Sequence, residues 1–147
     1  MDVKIRAAIS EDAHAISIIE QKTSPEPWSE DALLRDICQN DNACVLVAEI
    51  DGKAVGYLDA WKVADELQLC NIGVLEEYRG NHIGQELMDV LADIGRELKC
   101  CLITLEVRES NEPALALYRK CEFEEVGIRE NYYIDNNENA ILMDKKL

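Results

Sequence analysis

The chain has 147 residues, 48% hydrophobic and 31% charged, a balance that suits one globular domain over 1–147 with a core large enough to need no disulfide or metal staples. Thirty acidic residues against fifteen basic ones leave a net charge of −15, which argues against nucleic acid as a direct partner and favours a cationic partner or none. No apolar run approaches the length of a membrane span, and the N-terminus MDVKIRAAIS lacks an extended apolar core and a cleavage site, so a cytoplasmic location without a membrane partner is expected.

Cys38, Cys44, Cys70, Cys100, Cys101 and Cys121 contain no C-x-x-C pair, and the histidines are His14 and His82 alone. A zinc site has little to build on, and no metal is expected. Cys44, Cys70, Cys101 and Cys121 sit in or beside apolar runs, where a free thiol behaves as a small hydrophobe.

In chain order, Val3–Ile9 alternates as a first strand. Ser10 is placed to cap a helix with Glu11 and Asp12 in its first turn and Ala15, Ile16 and Ile19 inward, with Ala13 a further candidate. Pro25 and Pro27 break the chain, and Ser29 caps a short helix with Ala32, Leu33 and Ile37 inward. Ala43–Ile50 is a strand, Asp51-Gly52 a tight turn, and Ala54–Val63 its hairpin partner. Glu66–Val74 is a third run. Gly84–Leu98 is an amphipathic helix with Leu87, Leu91, Ile94 and Leu98 as its core stripe. Gly95 sits inside it at a cost of about 1 kcal/mol against Ala. Cys101–Val107 reads as a buried strand, Pro113–Lys120 as a helix, and Phe123–Glu130 and Ala140–Lys145 as strands. A hairpin block followed by strand-helix-strand-helix-strand implies a mixed α/β sheet, with a parallel crossover through the long helix.

The stretch Arg79-Gly80-Asn81-His82-Ile83-Gly84 joins a strand to that helix. A helix N-terminus reached through a glycine loop offers unpaired N–H groups and partial positive charge to an anion. The segment lacks the G-x-G-x-x-G of a dinucleotide fold and the Lys-Ser/Thr of a P-loop. By itself it fits a pyrophosphate cradle or an ordinary surface turn.

Four separated motifs decide between them. YRGNHIGQELM resembles the acetyl-CoA pyrophosphate loop of the GNAT acetyltransferases, Gln/Arg-x-x-Gly-x-Gly/Ala. TLEVRESNEPALALYRKCEF (Thr104–Phe123) resembles the family's second signature, a strand, an Asn and an A-x-x-L-Y helix. RENYY (Arg129–Tyr133) and PWSEDAL (Pro27–Leu33) resemble the ribosomal-protein-alanine N-acetyltransferase branch, which acetylates protein N-termini. The resemblance covers nearly the whole chain. It implies the GNAT fold, an α/β (α+β) arrangement with a mixed sheet of about six to seven strands. Helices would cover both faces, and the sheet would be splayed between its fourth and fifth strands.

The resemblance also implies acetyl transfer from acetyl-CoA to an amine by direct attack in a ternary complex. It assigns Glu106 as general base and Tyr118 as the acid that protonates the departing thiolate. Read without it, Glu106 is a solvated strand-end carboxylate and Tyr118 a core aromatic. Acetyl-CoA would contact Ile72, Gly73 and Val74 through their backbone, the loop Arg79, Gly80, Asn81, His82, Ile83, Gly84 and Gln85, and Asn111, which also suits a helix cap. Trp28, Tyr132 and Tyr133 are candidates to wall the peptide entrance; a hydrophobic staple and a sheet-edge aromatic pair are the plainer readings. The partner implied is a protein or peptide with a free, basic N-terminus, such as a ribosomal protein.

Two positions depart from the pattern. His82 stands where the family has its first loop glycine; it either donates to a phosphate from negative φ or points to solvent. Glu122 stands in place of a turn glycine, where a left-handed conformation costs about 1–2 kcal/mol, which points to a different turn type. Two alternatives remain open: a GNAT enzyme acting on a small polyamine or antibiotic, and a non-catalytic acetyl-CoA-binding module.

Overall fold

The computed structural model describes residues 2–147. The elements run β1 (Lys4–Ala7), α1 (Ala13–Thr23), α2 (Glu30–Cys38), β2 (Ala43–Ile50), β3 (Lys53–Val63) and β4 (Glu66–Val74). They continue with α3 (Ile83–Glu97), β5 (Leu102–Arg108), α4 (Glu112–Lys120), β6 (Glu124–Tyr133) and β7 (Glu138–Lys146). The seven strands form one sheet in the order β1-β2-β3-β4-β5-β7-β6. Only β4 and β5 run parallel, because α3 carries the chain across between them.

Ile16, Ile19 and Leu33 of α1 and α2 pack with Val45, Val47 and Tyr57 on one face of the sheet. On the other face, Leu87, Met88 and Leu91 of α3 and Leu115 of α4 pack with Leu46, Leu58, Ile103 and Leu105. Period-two alternation in β2 and β5 thus feeds two apolar layers at once.

β4 and β5 pair only at Glu66↔Leu102, Leu67↔Ile103 and Gln68↔Thr104. Immediately beyond, Leu69 and Asn71 oppose the consecutive β3 residues Ala60 and Asp59, so Cys70 is an extra residue. Such a bulge bends a strand, and here it sits where β4 parts from β5. The expected splay between the fourth and fifth strands is therefore present.

Several sequence expectations are corrected. Ser10 does not cap α1; it lies in a 3-10 turn over Ser10–Asp12. The Asp12 carboxylate accepts instead from the Ile9 N–H at 2.8 Å and from Arg6 at 2.7 and 2.9 Å. The buried stripe of α3 runs through Leu87, Met88, Leu91, Ala92 and Gly95, and Leu98 is exposed. Gly95 is where the helix meets the end of the chain: a Cβ there would lie 2.6 Å from Leu147 Cδ1. Glu122 does adopt the left-handed conformation, φ 69°. The Phe123 N–H donates to Tyr118 O at 2.9 Å and the Glu122 N–H to Arg119 O at 3.0 Å, the helix-ending motif a glycine would make. Lys145 Nζ supports it by donating to Cys121 O at 2.6 Å. The last two strands are longer than their apolar cores suggest, so RENYY lies wholly in β6, and residues 134–137 form the turn.

Candidate active site

The RGNHIG segment folds as a tight lead into α3. Gly80 (φ 82°) and His82 (φ 61°) both take left-handed backbone, and His82 is the residue before the helix. His82 therefore does what the family glycine would do, with its imidazole exposed, the second of the two alternatives its position allowed. Asn81 Nδ2 donates to Tyr78 O at 3.0 Å, so its side chain shapes the loop. Arg79 Nε donates to Val74 O at 3.1 Å, tying the loop to the end of β4; its terminal nitrogens have no partner among the described residues. No side chain caps α3, so its first-turn N–H groups are left to a ligand or solvent.

The loop overhangs a cavity of about 590 Å³ in the splay. Its lining includes Ile72, Gly73 and Val74 from β4, Arg79, Gly80, His82, Ile83, Gly84 and Gln85 from the loop and α3, and Asn111 and Tyr118. Past Gln68, β4 has no ladder partner on its β5 side among the described residues, so backbone groups of 72–74 face the opening. Asn111 Oδ1 accepts from the Ala114 N–H at 3.3 Å and caps α4. That cap fixes the helix that delivers Tyr118. Tyr118 is 6% exposed, and burial raises its phenol pKa above the ordinary tyrosine value. A neutral, desolvated O–H inside a cleft keeps its proton and is a hydrogen-bond donor to an anion formed beside it.

Glu106 lies on the other side of β5. Ile103, Leu105 and Val107 are buried under α3 and α4, so Glu106 and Arg108 face the α1–α2 side. Arg129 Nη2 stands 3.6 Å from Glu106 Oε1. Hydrogen bonding to Glu106 raises the Tyr132 phenol pKa, which puts that ring beside the carboxylate. Tyr132 and Tyr133 meet edge to face at 5.2 Å. Three residues, 130–132, oppose one β7 residue here, with Asn131 left-handed and its N–H donating to Asn139 Oδ1 at 3.0 Å. A bulge of this kind re-aims side chains, and this one puts Arg129, Tyr132 and Tyr133 around the end of β5.

Of the residues singled out from sequence, all the cofactor candidates except Asn81 line the cavity. Glu106, Tyr132 and Tyr133 cluster across β5 from it. Trp28 packs on Trp61 at 6.3 Å. Its backbone N–H donates to Glu20, which also accepts from Tyr57 Oη. Its indole N–H donates to Asn71 at 3.2 Å in the amide orientation the neighbours require. Trp28 and Trp61 border a separate groove of about 770 Å³ over α2. Sequence reasoning missed Thr23, Leu117 and Lys120, which also line the cavity. Nothing local marks them. It also missed Arg108 and Arg129. Arg108 was findable, since it shares the face of Glu106 at period two; Arg129 lies in RENYY, where local sequence does not show what its side chain meets.

A mixed seven-stranded sheet parted at its one parallel pair, beneath a helix N-terminus, is an acetyltransferase architecture. It superimposes on the crystal structure of the ribosomal-protein-S18-alanine N-acetyltransferase from Escherichia coli with a TM-score of 0.89, at 32% identity over 99% of this chain and 94% of that one. Arabidopsis thaliana NAA60 in complex with acetyl-CoA shares the fold at TM-score 0.90 and 17% identity, over 99% of this chain and 100% of that one. The family model for the Acetyltransferase (GNAT) family matches residues 13–123, and the chain belongs to that family and is an N-acetyltransferase. Among curated relatives, it is 35% identical to the ribosomal protein bS18-alanine N-acetyltransferase of Escherichia coli (strain K12) over 127 residues, 85% of this chain and 84% of that protein. It is 33% identical to the N-alpha-acetyltransferase RimI of Mycobacterium tuberculosis (strain ATCC 25618 / H37Rv) over 147 residues, 96% and 90% of the two chains.

Proposed function

We propose that the protein transfers the acetyl group of acetyl-CoA to the α-amino group of a protein N-terminus, of the ribosomal-protein-alanine type, by direct attack in a ternary complex. The observation that carries this reading is the parted β4–β5 pair, with Tyr118 in the cavity between the strands and Glu106 on the opposite face of β5. The relatives' names supply the substrate class.

In this reading the N–H groups at the start of α3 and the free end of Arg79 hold the pyrophosphate. Backbone groups of 72–74 hold the pantetheine amides and the carbonyl oxygen of the thioester. Glu106, directly or through a water, takes the proton of the attacking amine as the C–N bond forms. As the C–S bond breaks, Tyr118 donates a hydrogen bond to the thiolate; a phenol is a weaker acid than a thiol, so its role is hydrogen-bond stabilisation as much as proton transfer. An N-terminal amine needs only a modest base: with a pKa of about 7.7–8.0, roughly a quarter is neutral near pH 7.4, against about 0.1% of a lysine. No cysteine lines the cavity, and burial pushes the Cys70 thiol up to about 12, which favours direct attack over an acetyl-enzyme. The net charge of −15 suits a basic protein partner.

The test is a panel with acetyl-CoA: a basic peptide with a free N-terminal Ala, the same peptide N-blocked, and spermidine. Acetylation of the free peptide alone is expected. Turnover of spermidine alone would make it a small-amine enzyme, and acetyl-CoA binding without turnover a regulatory module.

A further inference from the structure

Two chain segments flank the end of β5 beside Glu106: the α1–α2 connection, residues 24–29, and the β6–β7 turn, residues 134–137. One side chain joins them. Arg108 Nη1 donates to Asp135 Oδ1 at 3.0 Å and to Asn136 Oδ1 at 3.4 Å, and it lies 3.5 Å from Glu138 Oε2. Its Nη2 lies 3.8 Å from Glu26 Oε1. The guanidinium carbon stands 4.0 Å from the centre of the Tyr133 ring. Among the described residues, no other hydrogen bond or ion pair joins 24–29 to 134–138.

We infer that Arg108 is a clasp that sets the width of the amine entrance, a positioning residue for the peptide. The Arg108 side chain is 16% exposed, so its grip on the turn is partly shielded from water, while its contact with Glu26 is that of a surface pair. It uses a flat fork and a stacking face together, which a lysine cannot copy. The turn it grips is anchored a second time: Glu138 Oε1 accepts from the Ser110 N–H at 2.6 Å, and contacts with Ser110, Asn136 and Arg108 hold that carboxyl down at about 2. The turn is therefore fixed to β5, and Glu26, 70% exposed, is the end that can let go. Among the described residues Arg108 makes no hydrogen bond or ion pair with Glu106; it acts through Tyr133 and through the position of the α1–α2 connection.

This inference rests on reading the Glu106 side as the amine entrance, and its test separates the two. Amide exchange reads the clasp without any turnover. In Arg108→Gln, exchange at Trp28, in the connection whose Glu26 end is released, is expected to quicken by about tenfold, while exchange at Glu138, held also through Ser110, changes less. Unchanged exchange at Trp28 overturns the clasp, whatever the kinetics show. With the free-N-terminal Ala peptide, the variant's KM is expected to rise about tenfold while its acetyl-CoA Kd stays within about twofold, and Arg108→Lys is expected not to restore the KM. Glu26→Gln should raise the peptide KM in the native background and add little in Arg108→Gln. Full additivity, or a parallel loss of acetyl-CoA affinity, overturns the proposal. Normal exchange effects in a protein that acetylates no peptide would instead refute the N-terminal reading and leave the clasp standing.

Discussion

Glu106 and Arg129 face each other from opposite sides of β7, Nη2 to Oε1 at 3.6 Å, with side chains 33% and 56% exposed. A pair this open to water contributes about 0–1 kcal/mol, so Glu106 is only loosely held by Arg129.

Glu106→Gln keeps the shape and removes the base. Turnover of the free-N-terminal peptide is expected to fall by about 10²–10⁴-fold, with acetyl-CoA affinity within about twofold by calorimetry, because Glu106 is not part of the cavity lining. A large loss of acetyl-CoA binding would make Glu106 structural.

Tyr118→Phe removes one oxygen from a buried ring that also packs on Phe123 at 5.8 Å. The fold should hold, because the ring contacts remain. Turnover is expected to drop by about 10²-fold with a small change in acetyl-CoA affinity. Retained turnover would assign the leaving-group proton to another donor.

His82→Gly relieves left-handed backbone at a non-glycine residue, worth about 1 kcal/mol, and should raise the unfolding midpoint in urea. Acetyl-CoA is expected to bind at least as tightly, since the imidazole is exposed and makes no cap hydrogen bond to α3. Weaker binding would identify the imidazole as a phosphate ligand.

Asp59 is fully buried on β3, and neither carboxyl oxygen has a hydrogen-bond partner. Burial, then the neighbouring Asp36, then Glu20 push its pKa up to about 9, while Asp36 stays low, held by Asp59, Trp61 and Asn40. Asp59 is therefore the protonated member of the pair. Its folded pKa lies above its unfolded value near 4, so its stabilising effect is complete below about pH 4 and is lost as pH rises toward 9. Asp59→Asn keeps the shape without the titration. Relative to the native chain it should be more stable by a few kcal/mol at pH 8 and little different at pH 4. A pH-independent difference in urea unfolding would show that Asp59 is not the titrating group.

Period two and period 3.6, with the turn at Asp51-Gly52, determined the elements, because each signal acts within a few residues. The loop before α3 and the capping Asn111 were legible in local residues, whereas the roles expected of Glu106 and Tyr118 came from the family resemblance. The tertiary structure alone decided where each element stops and what each polar group meets. Ser10 lost its helix to the carboxylate of Asp12, drawn to Arg6. Trp28 went to Trp61 because Glu20 and Asn71 hold its two N–H groups. Leu98, apolar and in phase, stayed outside, while Gly95 went in against Leu147. Arg108 was readable as a charge on the face of Glu106, but its grip on Glu26 and Asp135 brings together residues 82 and 27 positions away. Local sequence fixes which way a side chain points along its own strand; only the packed sheet fixes what it finds there.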